Sequence, residues 1–177
     1  MEILVITVSD RAAHGTCTDR SGPAVRKVLQ EAVPEARVEG RVVSDEPEEL
    51  MHLLREQAGE YDVVLTTGGT GIGPRDRAPE VTREFCDREI PGIAEYLRFR
   101  SLEQTAAAVF SRGVAGVAGT TVIVNLPGSV RGAAFCAGLL APLLEHARDM
   151  VRGEGHGKEG AEPQSPRPSG AAERTHR

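Results

Sequence analysis

Two carboxylates and a glycine cluster are the residues of this chain whose types and spacing could do chemistry. Glycine stands at 68, 69, 71 and 73 in Thr67-Gly68-Gly69-Thr70-Gly71-Ile72-Gly73. Glycines let backbone N–H groups approach a ligand closely, and with a helix following, the segment has the makings of a phosphate cradle. It fails two standard patterns. A P-loop needs Lys and a hydroxyl residue where Pro74-Arg75 stands, and a dinucleotide fingerprint needs a glycine where Pro74 stands, after a first strand rather than a third. A tight strand-to-helix turn would explain fewer glycines. Asp45, in Ser44-Asp45-Glu46, and Asp76, in Arg75-Asp76-Arg77, follow expected strands. Asp45 could instead cap the next helix, and Asp76 could be a turn or cap residue ahead of Pro79. If both face a triphosphate, two unit charges about 4 Å apart repel by roughly 4 kcal/mol at an effective dielectric near 20. A divalent cation reverses that sign, and Mg²⁺ commonly takes one or two carboxylates plus phosphate oxygens. Arg11, Arg75 and Arg77 lie in the same loops, either as anion contacts or as plain exposed charges. The remaining Lys and Arg read as solvated helix faces. His14, His52, His146, His156 and His176 show neither metal-ligand nor Ser-His-Asp spacing.

The elements that must position these residues alternate. Ile3 to Val8 is an apolar run suited to a buried strand, followed by helical spacing of Val25, Val28, Leu29 and Ala32 after Ser21-Gly22-Pro23. Arg37 to Val43 reads as a second strand, and Pro47 opens a helix with Glu48 and Glu49 in its first turn. Asp62 to Thr66 is a third strand. Helices follow over Pro79 to Phe85 and Pro91 to Gln104, then a strand over Thr121 to Leu126. A last helix spans about Val130 to Val151, with Pro142 a candidate kink. Alternation of this kind predicts an α/β fold, a three-layer αβα sandwich with a mostly parallel sheet. Ligands in such sheets sit beyond the carboxyl ends of the strands. The exits Ser9-Asp10-Arg11, Ser44-Asp45-Glu46, Thr67 to Gly71 and Asn125 to Ser129 therefore gather on one edge.

Composition narrows the partners. The chain has 177 residues, 21 Lys plus Arg against 26 Asp plus Glu, and a net charge of −5. That balance argues against nucleic acid, which wants a basic patch and stacking aromatics. Aromatics are only 3%, so ligand walls should be backbone and aliphatic more than ring faces. Cys17, Cys86 and Cys136 have no disulfide or metal spacing and read as reduced thiols. Without a membrane-length apolar run or a basic apolar leader, the expectation is a cytoplasmic protein with no membrane partner. From 153 to 177 the only aliphatic side chains are Ala161, Ala171 and Ala172. Such a segment reads as a disordered Gly/Pro-rich tail, leaving one domain over 1–152.

Ile6-Thr7-Val8-Ser9-Asp10-Arg11, Asp19-Arg20-Ser21-Gly22-Pro23, Thr66 to Gly71, Arg75-Asp76, Pro79-Glu80 and Asn125-Leu126-Pro127-Gly128 together resemble the molybdopterin adenylyltransferase family of molybdenum cofactor biosynthesis (Mog/MoaB type), which includes the gephyrin G domain. The resemblance covers about 2–150. It implies transfer of AMP from Mg-ATP to the terminal phosphate of molybdopterin, with release of pyrophosphate. It makes Asp45 and Asp76 the catalytic and Mg²⁺-holding carboxylates. It assigns nucleotide and pterin binding to Thr67, Gly68, Gly69, Thr70 and Gly71 and to Pro127, Gly128 and Ser129. Ser9, Asp10 and Asn125 at neighbouring exits join that set, and Ser111 matches a serine on the pterin side. The resemblance also implies a homo-oligomer, a trimer or hexamer. Ala78 departs from the family's usual Thr, a hydroxyl that would serve as a cap or a ligand contact. Three rival readings remain: a molybdate-insertion domain, a molybdopterin-binding scaffold without catalysis, and a dinucleotide-dependent oxidoreductase, which the failed fingerprint disfavours.

Overall fold

The computed structural model describes residues 1–154. Its strands are β1 (Glu2–Val8), β2 (Arg37–Val43), β3 (Val63–Thr67), β4 (Arg88–Glu89), β5 (Ala115–Ala118) and β6 (Thr121–Leu126). The helices are α1 (Asp10–Ala13), α2 (Ser21–Ala32), α3 (Pro47–Gln57), α4 (Ala78–Phe85), α5 (Pro91–Ser101) and α6 (Val130–Val151), with single 3₁₀ turns at Ala58–Glu60 and Ala106–Phe110. The sheet order is β2-β1-β3-β6-β5-β4. β2, β1, β3 and β6 run parallel, whereas β5 is antiparallel to β6 and β4 to β5.

The apolar runs are continuous because both sheet faces are covered. Along β1, Ile3 and Val5 enter a core shared with Val25 and Leu29 of α2 and with Ala133, Ala137, Leu140 and Leu144 of α6. Leu4, Ile6 and Val8 point the other way, onto Leu50 and Leu54 of α3 and Val81 of α4. Each such fully buried aliphatic side chain contributes about 1.5–3 kcal/mol relative to exposure. The three-layer expectation therefore holds. α2 is tied to β1 by Asp19, which accepts from the Gly22 N–H at 3.1 Å and from the Thr7 hydroxyl at 2.8 Å. Pro142 does not end α6. It and Gly138, whose carbonyl loses its partner N–H, are both exposed, so water can satisfy that carbonyl.

Apart from α1, the differences from the expected elements lie after β3. α5 ends at Ser101 rather than Gln104. α1, β4 and β5 were absent from the pattern, since β5 is Ala-Gly-Val-Ala and β4 has two residues. Neither carries strand propensity; pairing of Ala115 with Val124 and Val117 with Val122 imposes the ladder. The expected tail falls almost wholly outside the described residues.

The chain crosses from β2, on one side of β1, to β3 on the other, so the exits of β1 and β3 form a switch point. The contact there is close. Gly68 has φ +109°, and a Cβ on it would come within 2.3 Å of the Val8 carbonyl oxygen. Any side chain at 68 would push the two exits apart.

Candidate functional site

A cavity of about 440 Å³ opens at this carboxyl edge. Gly69, Thr70, Gly71 and Asp76 form one wall, Asn125, Pro127, Gly128 and Ser129 the next, and Ser111 a third. Nine of the residues expected to bind are thus brought together. The Pro127–Ser129 loop is pressed against the first wall, because the Thr67 hydroxyl donates to the Pro127 carbonyl at 2.8 Å. Ser129 caps α6, accepting from the Gly132 N–H at 3.2 Å.

Five expected residues stand outside the cavity. Thr67 is fully buried with its hydroxyl spent on Pro127, and Gly68 packs behind the loop on Val8. Ser9 caps α1 through the Ala12 N–H at 3.4 Å. Asp10 and Asp45 form a reciprocal pair: Asp45 Oδ2 accepts from the Asp10 N–H at 3.0 Å, and Asp10 Oδ1 from the Asp45 N–H at 2.9 Å. Asp45 is therefore not the cap of α3; Glu46 holds that position without a side-chain hydrogen bond. Glu49 accepts from the Ser44 N–H at 3.1 Å, and the Ser44 hydroxyl, followed by its backbone, holds the Glu49 carboxyl below the usual range.

One arginine joins the two carboxylate loops. Arg75, adjacent to Asp76, places Nη2 2.7 Å from Asp10 Oδ2 and 2.8 Å from Glu46 Oε1. Asp76 itself braces its loop, with Oδ2 accepting from the Gly73 N–H at 2.8 Å. The turn and ligand readings of Asp76 are compatible, since a carboxylate has a second oxygen. The N–H groups of Gly69, Thr70, Gly71 and Ile72 find no partner among the described residues.

Sequence reasoning named Asn125 as a binding residue without its supporting role, and missed Arg112 and Arg98. Asn125 is a buried hub: its amide nitrogen donates to the hydroxyls of Thr66 at 2.9 Å and Thr82 at 2.8 Å, and its oxygen accepts from the Val114 N–H at 3.2 Å. Arg112 is no solvated face residue. It donates to the Gly71 carbonyl at 2.6 Å, to the Asp76 carbonyl and to both oxygens of Glu80, whose carboxyl it holds below the usual range. Arg98 donates to the Ser111 carbonyl at 2.7 Å. No sequence signal marks either arginine: Arg98 lies within the expected helix α5, and Arg112 stands in a loop with no partner in sequence.

Two of the four phenylalanines, Phe110 and Phe135, stand in the cavity wall, so ring faces contribute more than composition implied. Ala78, at the first position of α4, is buried with its N–H on the Gly69 carbonyl at 3.2 Å, and α4 starts without a side-chain cap. Cys17, Cys86 and Cys136 are free thiols, and burial pushes Cys86 up to about 11. Among the described residues no three His, Cys, Asp or Glu side chains could jointly hold a metal, and no helix is long and apolar enough to cross a membrane.

Fold and site define an α/β protein whose cavity, at the switch point of a parallel sheet, is walled by a glycine-rich loop with unpaired amides. The chain matches the family described as "Probable molybdopterin binding domain" over residues 4–146, and it belongs to that family. It is 35% identical to a molybdopterin adenylyltransferase of Helicobacter pylori, over 86% of this chain and 89% of that one. It is 39% identical to the molybdenum cofactor synthesis protein cinnamon of Drosophila melanogaster, over 83% of this chain, but spans only 25% of that longer relative. Among solved structures it resembles the molybdopterin biosynthesis enzyme MoaB of Thermus thermophilus at 44% identity and a TM-score of 0.76, covering 86% of this chain and 96% of that one.

Proposed function

We propose that the protein adenylylates molybdopterin, using Mg-ATP and releasing pyrophosphate. The observation that carries this reading is the pairing of unpaired loop amides at Gly69, Thr70 and Gly71 with Asp76 in one cavity wall, while Arg75 ties that wall to Asp10 and Asp45. The H. pylori relative of nearly the same length, named for this activity, supports it.

The residues present fit Mg²⁺. Asp45 and Asp76 are hard oxygen donors, and each spends one carboxylate oxygen on a backbone N–H, which fixes its direction and leaves the other oxygen for a cation. Because no three-residue protein cage exists among the described residues, the ion suits delivery with the nucleotide. When bound, Mg²⁺ would neutralise phosphate charge and help align the triphosphate. The loop amides then hold the phosphates and stabilise negative charge on the oxygens of the α-phosphate and the departing pyrophosphate. The attacking group is the molybdopterin phosphate, an anion already, so the chain needs no general base; in sequence the five His residues have no catalytic spacing. Ser111, Phe110 and Phe135 also line the cavity and are assigned to the pterin. In line with the resemblance, we also assign a homo-oligomeric state, a trimer or hexamer, which light scattering checks.

The test is direct incubation with Mg-ATP and molybdopterin, following pyrophosphate and adenylylated pterin. Stoichiometric formation of both is expected. Pterin binding without turnover would convert the reading to that of a scaffold, with Ala78 the first residue to revert.

A further inference from the structure

Gly69, Thr70, Gly71 and Asp76 line the 440 Å³ cavity, whereas Arg112 stands outside it, in the wall of a second cavity of about 380 Å³ that Arg83 also lines. From there Arg112 grips the loop at three carbonyls: its own N–H donates to Thr70 O at 2.9 Å, its Nε to Gly71 O at 2.6 Å, and its Nη2 to Asp76 O. The rest of the guanidinium rests on Glu80, in the first turn of α4, which begins where the loop ends. Arg98 steadies the gripping segment through Ser111 O and Gly113 O.

A trans peptide points its C=O and its N–H in opposite directions. Thr70 O shares a peptide with the Gly71 N–H, and Gly71 O with the Ile72 N–H. Drawing those oxygens back onto Arg112 turns those N–H groups forward. Neither N–H has a partner among the described residues. We infer that Arg112, braced by Glu80, is a positioning residue that sets the donor face of the glycine-rich loop for the phosphates of the nucleotide, a role that rests on the nucleotide reading above. The guanidinium never reaches the phosphates. It acts through the loop, and its planar fork matters more than its charge.

Charge and geometry make opposite predictions at Glu80. If Arg112 and Glu80 acted only through the local field, Glu80→Gln would remove a negative charge and tighten anion binding. If Glu80 anchors the fork, the same change loosens the loop and weakens binding.

The experiment measures pyrophosphate and Mg-ATP affinity calorimetrically, and amide exchange over 69–76 by mass spectrometry, in wild type, R112A, R112K and E80Q. R112A is expected to lose about tenfold or more in pyrophosphate affinity, as removal of several charge-assisted hydrogen bonds implies. R112K, which keeps the charge, should still lose about threefold or more, and E80Q should weaken binding by about the same factor. Within 69–76, exchange at the hydrogen-bonded Gly73 and Asp76 amides should rise about tenfold in R112A while α2 and α6 stay protected. Wild-type affinity in R112K together with tighter binding in E80Q would overturn the inference. If R112A does not fold, R112K and E80Q carry the same decision. A wild-type protein that binds neither pyrophosphate nor Mg-ATP would sink the nucleotide reading by itself. Exchange over 69–76 would then decide the positioning role: unchanged in R112K and E80Q, it fails; raised, it stands.

Discussion

Asp45 and Asp76 follow β2 and β3, the two strands that flank β1, each with one oxygen on a backbone N–H, yet they are supported differently. Asp45 sits between the ends of β1 and β2, in a reciprocal pair with Asp10 whose partners come from the sheet's own exits. Asp76 sits in a loop that runs from Gly68 to Arg77 and takes its shape from Asp76 itself, at Gly73, and from Arg112 behind. A side chain at Gly71 or Gly73 would come within 2.8 Å of Asp76 Oδ2, so the loop closes tightly around that carboxylate. Asp45 supplies charge to a frame that stands without it. Asp76 supplies charge and part of the frame.

Substitutions should separate the two. Asp76→Ala removes the proposed metal oxygen and the Gly73 brace together; turnover by pyrophosphate release should fall by about 10³-fold or more, and amide exchange in the loop should rise. Asp45→Asn keeps an oxygen for the Asp10 N–H and should leave exchange and folding unchanged, with turnover down by about 10²-fold. Equal loop disturbance in both variants would erase the contrast. Asn125→Leu undermines only the Asp76 side, stranding the Thr66 and Thr82 hydroxyls and the Val114 N–H in the core. It should cost about 2 kcal/mol in urea denaturation.

The smallest effect is on acid stability. Arg112, on the Asp76 side, and the Ser44 hydroxyl, on the Asp45 side, hold Glu80 and Glu49 below the usual carboxylate range. A lowered folded-state pKa stabilises above the unfolded value, and that contribution is lost as pH falls through the folded one. Wild-type melting temperature should therefore drop more steeply below about pH 4.5 than that of Glu80→Gln or Glu49→Gln, each of which flattens the acid limb. Parallel acid limbs in wild type and both variants would remove these pairs from the account.

The parallel strands, their order of alternation with helices and the gathering of four loops on one edge were legible because buried strands and amphipathic helices write their periods locally. The glycine cluster and both aspartates were legible for the same reason: they are local and chemically distinctive. Arg112 was not. It lies 41 residues from Gly71, and nothing in Phe110-Ser111-Arg112 separates a loop clamp from a solvated arginine. The antiparallel β4 and β5 were hidden because Ala115–Ala118 is a strand only through its pairing with β6. The division of the expected site also escaped notice. Residue spacing places Thr67, Gly68, Ser9, Asp10 and Asp45 at the right edge, but only packing shows that the first two are buried behind the loop and the others stand beside the cavity.

Asp45 and Asp76 are proposed to serve one metal-bound nucleotide. A double-mutant cycle on Mg-ATP affinity tests this, comparing wild type, Asp45→Asn, Asp76→Asn and the double variant, each with Mg²⁺ and with chelator. If one ion joins the two carboxylates, each single change abolishes most of the Mg²⁺-dependent affinity, and the double variant loses little more than either. Losses that simply add, or ATP binding equally tight in chelator, would contradict a shared metal and place the two carboxylates in separate roles.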